Sequence, residues 1–209
     1  TGKRETYTKA FDYEVGRRSV TVSADKMNVF YIGVENPISV SAAGVSTNSL
    51  NVTASGGGLT LTPVGPGKYM VKATTATNDA KITVSGQGLP ATTFNYRVKR
   101  IPDPTAKIGG KTDGEIGSGE FKAQRGVAPY LENFDFDAKC DIQGFRIIYI
   151  ARRQDAVIVQ NDGALFGPQA KDIINKAKPG DQYIIDEVKA KCPGDVAGRK
   201  INSITFSIR

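Results

Sequence analysis

Ile204, Phe206 and Ile208 alternate with Thr205 and Ser207 near the end of the chain, a period of two that belongs to a strand with one buried face. The same alternation recurs through the first hundred residues: Phe11 to Val15, Val20 to Ser23, Val29 to Val34, Leu50 to Thr53, Leu59 to Thr62, Lys68 to Ala73, Ala80 to Val84, then Phe94, Tyr96 and Val98. Gly56-Gly57-Gly58, Pro63, Gly65-Pro66-Gly67 and Gly86 punctuate these runs. Seven or eight short strands separated by turn residues predict an immunoglobulin-like β-sandwich over residues 1–100. A composition of 23 Gly and 10 Pro with no Trp agrees with strands and turns, and the missing Cys…Trp…Cys spacing sets it apart from antibody domains.

Arg100-Ile101-Pro102-Asp103-Pro104 follows the last of these strands. Two prolines one residue apart stop strand pairing and hold the chain extended, so a stiff domain boundary is expected here. Residues 101–209 read as an antiparallel β domain with one packed helix. A glycine-rich stretch from Lys107 to Gly119 leads to a short helical turn near Glu120 to Gln124. Strands are expected at Phe134 to Cys140, at Gly144 to Ala151, which is apolar on both faces and therefore central, and at Ala156 to Gln160. A helix is predicted over Gln169 to Lys178. Pro168 suits its first turn, Ala170, Ile173, Ile174 and Ala177 form one stripe, and Pro179-Gly180 ends it. Gln182 to Lys191 and Lys200 to Ile208 then form a terminal hairpin around the loop Cys192-Pro193-Gly194-Asp195-Val196-Ala197-Gly198-Arg199. The whole is mainly β, in tandem domains.

The residue inventory excludes much chemistry. With no His in 209 residues, Ser-His-Asp and Cys-His nucleophilic systems and the common zinc sites are ruled out, and neither a metal nor a cofactor is expected. Gly109-Gly110-Lys111-Thr112 resembles the tail of a phosphate-binding loop, but the glycine required five positions before Gly110 is Thr105. Glu132 to Asp141 alternates carboxylates yet lacks the central Gly and terminal Glu of an EF-hand loop. Carboxylate pairs for glycoside hydrolysis would be Asp135 with Asp137, on one strand face, or Asp186 with Glu187, on opposite faces. Both suit solvent exposure or an ion pair better than an active site, and no enzyme is expected. A net charge of +7 arises almost wholly in residues 1–100, where 12 Lys and Arg face 6 Asp and Glu; the remainder holds 16 against 15. Those cations stand singly or in pairs without an aromatic stripe, which speaks against nucleic acid. Cys140 and Cys192 fit either one disulfide or two unpaired, partly buried thiols. The opening Thr1 to Ala10 lacks an initiator Met and a signal peptide, so the chain reads as an excised part of a longer protein. A carbohydrate- or cell-surface-binding tandem module is the competing class, with Tyr7, Tyr13 and Tyr130 as the candidate platforms.

Three stretches carry a family resemblance: Phe30 to Pro37, the linker from Arg100 to Pro104 entering Lys107-Ile108-Gly109-Gly110, and the hairpin from Asp186 to Ile208. Together they resemble the C-terminal periplasmic region of the GldM/PorM family of the type IX secretion and gliding-motility machinery. The resemblance implies a dimeric, non-enzymatic arm in the periplasm, anchored in the inner membrane by an N-terminal segment absent from this sequence. It implies GldL/PorL as a motor partner through that missing part, and a GldK and GldN (PorK, PorN) ring at the outer membrane as the distal partner. This fragment makes no direct membrane contact in that picture. An oxidising periplasm permits a bridge between Cys140 and Cys192. The candidate partner contacts are the charged hairpin positions Lys189, Lys191, Asp195, Arg199 and Lys200.

Overall fold

Alternating burial organises the first half as it does the sequence. The computed structural model describes residues 2, 7–11, 27–86 and 88–209. The expected strand at Val20 to Ser23, and all of Phe11 to Val15 except Phe11, lie outside the described residues. Seven strands follow in order: β1 (Val29–Tyr31), β2 (Asn36–Ser39), β3 (Leu50–Ser55), β4 (Thr60–Gly65), β5 (Lys68–Lys72), β6 (Thr77–Gly86) and β7 (Leu89–Lys99). They form two sheets, ordered β1-β7-β6-β3 and β2-β5-β4. All pairs are antiparallel except β1 with β7, where Phe30 stands beside Val98. Phe30, Val71, Ile82, Val84 and Val98 fill the space between the sheets, and the Phe30 and Tyr96 rings stack with centroids 4.3 Å apart. Asn36 is the one buried polar side chain of this half among the described residues. Its amide donates to the carbonyls of Tyr31, Val34 and Val71 and its oxygen accepts from Tyr31 N at 2.8 Å, so its side chain ties the two sheets where the chain crosses between them.

The second half holds β8 (Thr105–Lys107), β9 (Asp113–Ile116), helix α1 (Ser118–Lys122), β10 (Ala128–Tyr130), β11 (Asp141–Ile150), β12 (Val157–Asp162), helix α2 (Pro168–Asn175), β13 (Gln182–Lys191), β14 (Arg199–Lys200) and β15 (Ile204–Ile208). The main sheet runs β12-β11-β13-β15-β9, with β14 also on β13, and β10 pairs with β8 separately. Its strands are antiparallel except β15 with β9, which are parallel, so the expected all-antiparallel sheet is mixed at that edge. Both helices pack on one face. Ala170, Ile173, Ile174 and the following Ala177 are buried, while α1 buries Phe121 against Tyr183 at 4.7 Å. The Tyr183 hydroxyl donates to the Ile173 carbonyl at 2.7 Å. Buried Asp181 accepts from Lys178 N and the Tyr149 hydroxyl, each at 3.0 Å, fixing the turn between α2 and β13.

Three further expectations change. Phe134 to Cys140 forms no strand: Phe134, Phe136, Ala138 and Cys140 still point one way, but into an apolar cluster, with no ladder beside them. Lys200 to Ile208 breaks into β14 and β15 because Asn202 turns aside to β8. There its oxygen accepts from Ala106 N at 2.7 Å and its amide donates to Ala106 O at 3.1 Å, replacing a strand's two hydrogen bonds. Asp186 and Glu187 do not point to opposite faces. Buried residues of β13 run Tyr183, Ile185, then Val188, Ala190, so the alternation slips between them, and Glu187 takes φ +49° at the bulge. On β11 burial slips likewise, from Ile142 to Phe145, Ile147 and Tyr149. The two slips lie at neighbouring breaks in the β11–β13 register and compensate, keeping both strands' apolar residues on the helix side.

Candidate functional site: the terminal hairpin and the joint beneath it

The hairpin loop begins where Cys192 and Pro193 end β13. Asp195 folds back so that its carboxylate accepts from Cys192 N at 2.9 Å while its own N–H donates to the Cys192 carbonyl at 3.1 Å, closing a turn with Pro-Gly at its centre. The same carboxylate oxygen accepts from Arg199 Nε at 2.9 Å, and the Asp195 side chain is only 3% exposed. Arg199 Nη1 then reaches the linker, donating to the Ile101 carbonyl at 3.0 Å and to the Asp103 carboxylate at 2.6 Å. Its Nη2 is buried with no hydrogen-bond partner among the described residues. One guanidinium thus fastens the proline-bearing linker to the hairpin 96 to 98 residues away. Asp195 and Arg199 spend their charge within the chain. Lys189, Lys191 and Lys200 are exposed on the other face of the hairpin.

Under this clamp lies an apolar cluster shared by both halves. Val34 and Ile101 meet Cys140 and Cys192, whose sulfurs are bonded to each other, and Tyr31, Leu131, Phe134 and Phe136 pack around them. Tyr31 makes edge contacts with Phe134 at 4.8 Å and Phe136 at 5.1 Å. Gly33 and Gly194, both at positive φ, let the two backbones touch. A Cβ on Gly33 would collide with the Pro193 carbonyl carbon and the Gly194 nitrogen, and one on Gly194 would lie 2.7 Å from Ile32 Cγ2. Beside the cluster, Glu35, Pro37, Met70, Asp135, Phe136 and Asp137 line an open cleft of about 540 Å³.

On the main sheet's outward face Arg146 grips Asp186 with two hydrogen bonds, of 2.8 and 2.7 Å, and lies 3.7 Å from Glu187. The Arg146 hydrogen bonds hold the Asp186 carboxyl below its ordinary range. Asp186 is therefore an ion-pair member, and the Asp135 and Asp137 side chains are exposed on an extended segment. Among the described residues no group of three His, Cys, Asp or Glu could hold a metal. Gly109 and Gly110 make a tight turn closed by reciprocal hydrogen bonds of 3.0 Å between Ile108 and Lys111, and Lys111 pairs with Glu120. Tyr130 is 44% exposed with the Lys107 ammonium 5.2 Å from its ring centre, Tyr7 is exposed, and Tyr13 lies outside the described residues. Sequence reasoning missed Asn36, Asn202 and the reach of Arg199, whose partners are distant in the chain or are backbone atoms.

Fold and joint define a mainly β chain of immunoglobulin-like character whose few buried polar side chains among the described residues, Asn36, Asn161 and Asp181, bind neighbouring backbone. Residues 19–99 match the model of the GldM third domain and residues 102–209 that of the GldM C-terminal domain; the chain belongs to the GldM family. Membership gives it a role in the gliding-motility and type IX secretion machinery, as a structural component. No curated protein sequence matches the chain. Among solved structures, the fibronectin(III)-like modules of Clostridium thermocellum CbhA are 14% identical over 92% of this chain and 94% of that one, with a TM-score of 0.27. Domains 6-7 of the surface layer protein SbsC are 10% identical over 93% and 99%, with a TM-score of 0.30. A tri-modular endo-beta-1,4-glucanase from Bacillus licheniformis is 7% identical over 88% of this chain, with a TM-score of 0.23, and the chain spans 38% of its length. Likenesses this low define neither fold nor function. No helix among the described residues is long and apolar enough to cross a membrane.

Proposed function

We propose that the chain is the distal part of a dimeric, non-enzymatic periplasmic arm that carries inner-membrane motor motion to the ring at the outer membrane. In this reading GldL/PorL acts on the membrane-proximal part of the arm and GldK and GldN (PorK, PorN) receive the motion. Two domains meet at the linker, residues 1–100 and 101–209. The carrying observation is the joint: displacement passes along a chain of domains only where the connections resist bending, and here a single Arg199 guanidinium binds linker and hairpin together over a shared apolar cluster. The bridge between Cys140 and Cys192 suits an oxidising periplasm. Lys189, Lys191 and Lys200 contact the ring, and Asp195 and Arg199 hold the surface that presents them.

The test is binding of the purified chain to reconstituted GldK and GldN at two salt concentrations, with β-glucan and chitin as competing ligands. Micromolar or tighter ring binding that weakens with salt is the expected result. Binding to a glycan alone would replace the arm by a carbohydrate-binding module.

A further inference from the structure

The outward face of the main C-terminal sheet holds a row that solvent does not require. Strand pairing sets Ile158, Ile148 and Ile184 side by side across β12, β11 and β13, with Thr205 of β15 next in line. Ile150 stands two residues further along the same face of β11. Ile158 is 61% exposed on the edge strand, and Ile148, Ile150 and Ile184 are half-buried. On the other side of the Arg146–Asp186 pair, the same face presents Lys189, Lys191 and Lys200, with Lys189 directly opposite Lys200. Asp141 faces Lys191, and Glu187 sits at the bulge. The surface is thus an apolar strip and a cationic end divided by an ion pair.

Two copies laid with their lysine ends together would repel, and half-buried isoleucines such as Ile148, Ile150 and Ile184 do not protrude far enough to enter a bilayer. A complementary surface must be apolar at one end and anionic at the other. Lys189 lies five positions after Ile184, about 15 Å along a strand. We propose that this face docks a segment of another protein that carries branched or aromatic apolar side chains and, about 15 Å away, a cluster of carboxylates. The inference rests on the arm reading and gives that arm its contact surface. Burial of the isoleucine row supplies affinity, and the lysines supply register and a salt-dependent encounter rate.

The test places a photoreactive benzophenone amino acid at position 158 of the full-length protein in cells, with position 83 on the other domain's outer sheet as control, and sequences the cross-linked peptide. The expected result is an adduct from position 158 only, to an acid-rich segment of a different protein. A synthetic copy of that segment should bind the purified chain and lose roughly tenfold in affinity to K189E/K200E, whose melting temperature stays unchanged, and to I148T/I184T. Capture of a second copy of this chain, of lipid, or of nothing would overturn the proposal, as would affinity indifferent to both variants. An acid-rich segment from a protein outside the secretion and motility machinery would uphold the docking face and overturn the arm reading.

Discussion

The two large sheets show different outer faces. In the first half the outward rows are Thr53–Thr83–Thr93 and Ser55–Lys81–Asn95, polar throughout, with a hydrogen bond of 3.0 Å between the Thr83 and Thr93 hydroxyls. In the second half the corresponding face carries Ile158–Ile148–Ile184, a bidentate ion pair and three lysines. Burial alternates without a break through the buried residues Ala80, Ile82 and Val84 of β6, whereas on β13 it slips at Glu187. Unbroken alternation sorts residues cleanly into core and solvent. A bulge costs ladder hydrogen bonds, re-aims a charged pair and leaves a surface of mixed character.

The difference is sharpest if the second half can be unfolded alone. Deleting Ser203 to Arg209 removes β15 from between β13 and β9, and with it Ile204, Phe206 and Ile208, none more than 4% exposed. At about 2–5 kcal/mol for each large buried side chain, the loss matches or exceeds the stability of an ordinary domain. Limited proteolysis should destroy residues 101–209 and spare the first sandwich. A soluble deletion variant that still melts cooperatively in both halves would contradict this. Next in size, the C140S/C192S variant opens a loop with sequence separation 52, a loss of roughly 4 kcal/mol in the chain-entropy account. Because the bridge lies in the shared cluster, the second half should melt earlier and separately from the first. A single unchanged transition would mean that the bridge adds nothing to the joint.

What the sequence reveals follows from distance along the chain. The runs ending in Val84 and Val98, the α2 stripe of Ala170, Ile173 and Ile174, and the non-edge place of the strand through Gly144 to Ile150 are legible because period and turn chemistry are local, although the middle strand of the sheet is β13. The break at Asn202 is not, since its side chain imitates a backbone pairing to Ala106, 96 residues away. Glu187 reads as an ordinary strand residue, for nothing near it in sequence demands positive φ; the demand comes from the slip on β11. Arg199 looks like a surface cation until the linker carbonyl of Ile101 is seen beside it. The candidate site is accordingly legible as exposed lysines but not as a clamp. Its isoleucine row emerges only when the register of three strands is known.

Arg199→Ala separates clamp from surface. It leaves the Asp195 carboxylate, 3% exposed, without its cation, and removing one partner of a buried pair is worth about 3–5 kcal/mol; the 19% exposure of Arg199 places the effect at the lower end. Thermal melting should show the loss in the second half. Small-angle scattering should show a wider spread of shapes as the linker comes free of the hairpin. Lowered stability with an unchanged scattering profile would leave the shared apolar cluster as the sole lock of the joint.

The smallest effect belongs to the Arg146–Asp186 pair, which divides the isoleucine row from the lysines. The Arg146 hydrogen bonds lower the folded-state pKa of Asp186, so the unfolded chain takes up the proton first as pH falls. The pair's contribution is complete above the ordinary carboxylate range, declines below about pH 4, and is gone once pH drops through the depressed folded value. Partial exposure, with side chains 33% and 25% accessible, screens it and keeps the change small. Melting temperatures from pH 6 to pH 2 should fall less steeply for D186N than for the unaltered chain, and the gap should shrink in high salt. Parallel curves would show that this ion pair positions the outward face without stabilising it, and so would remove the charged divide from the list of what holds the second sheet's unusual surface in place.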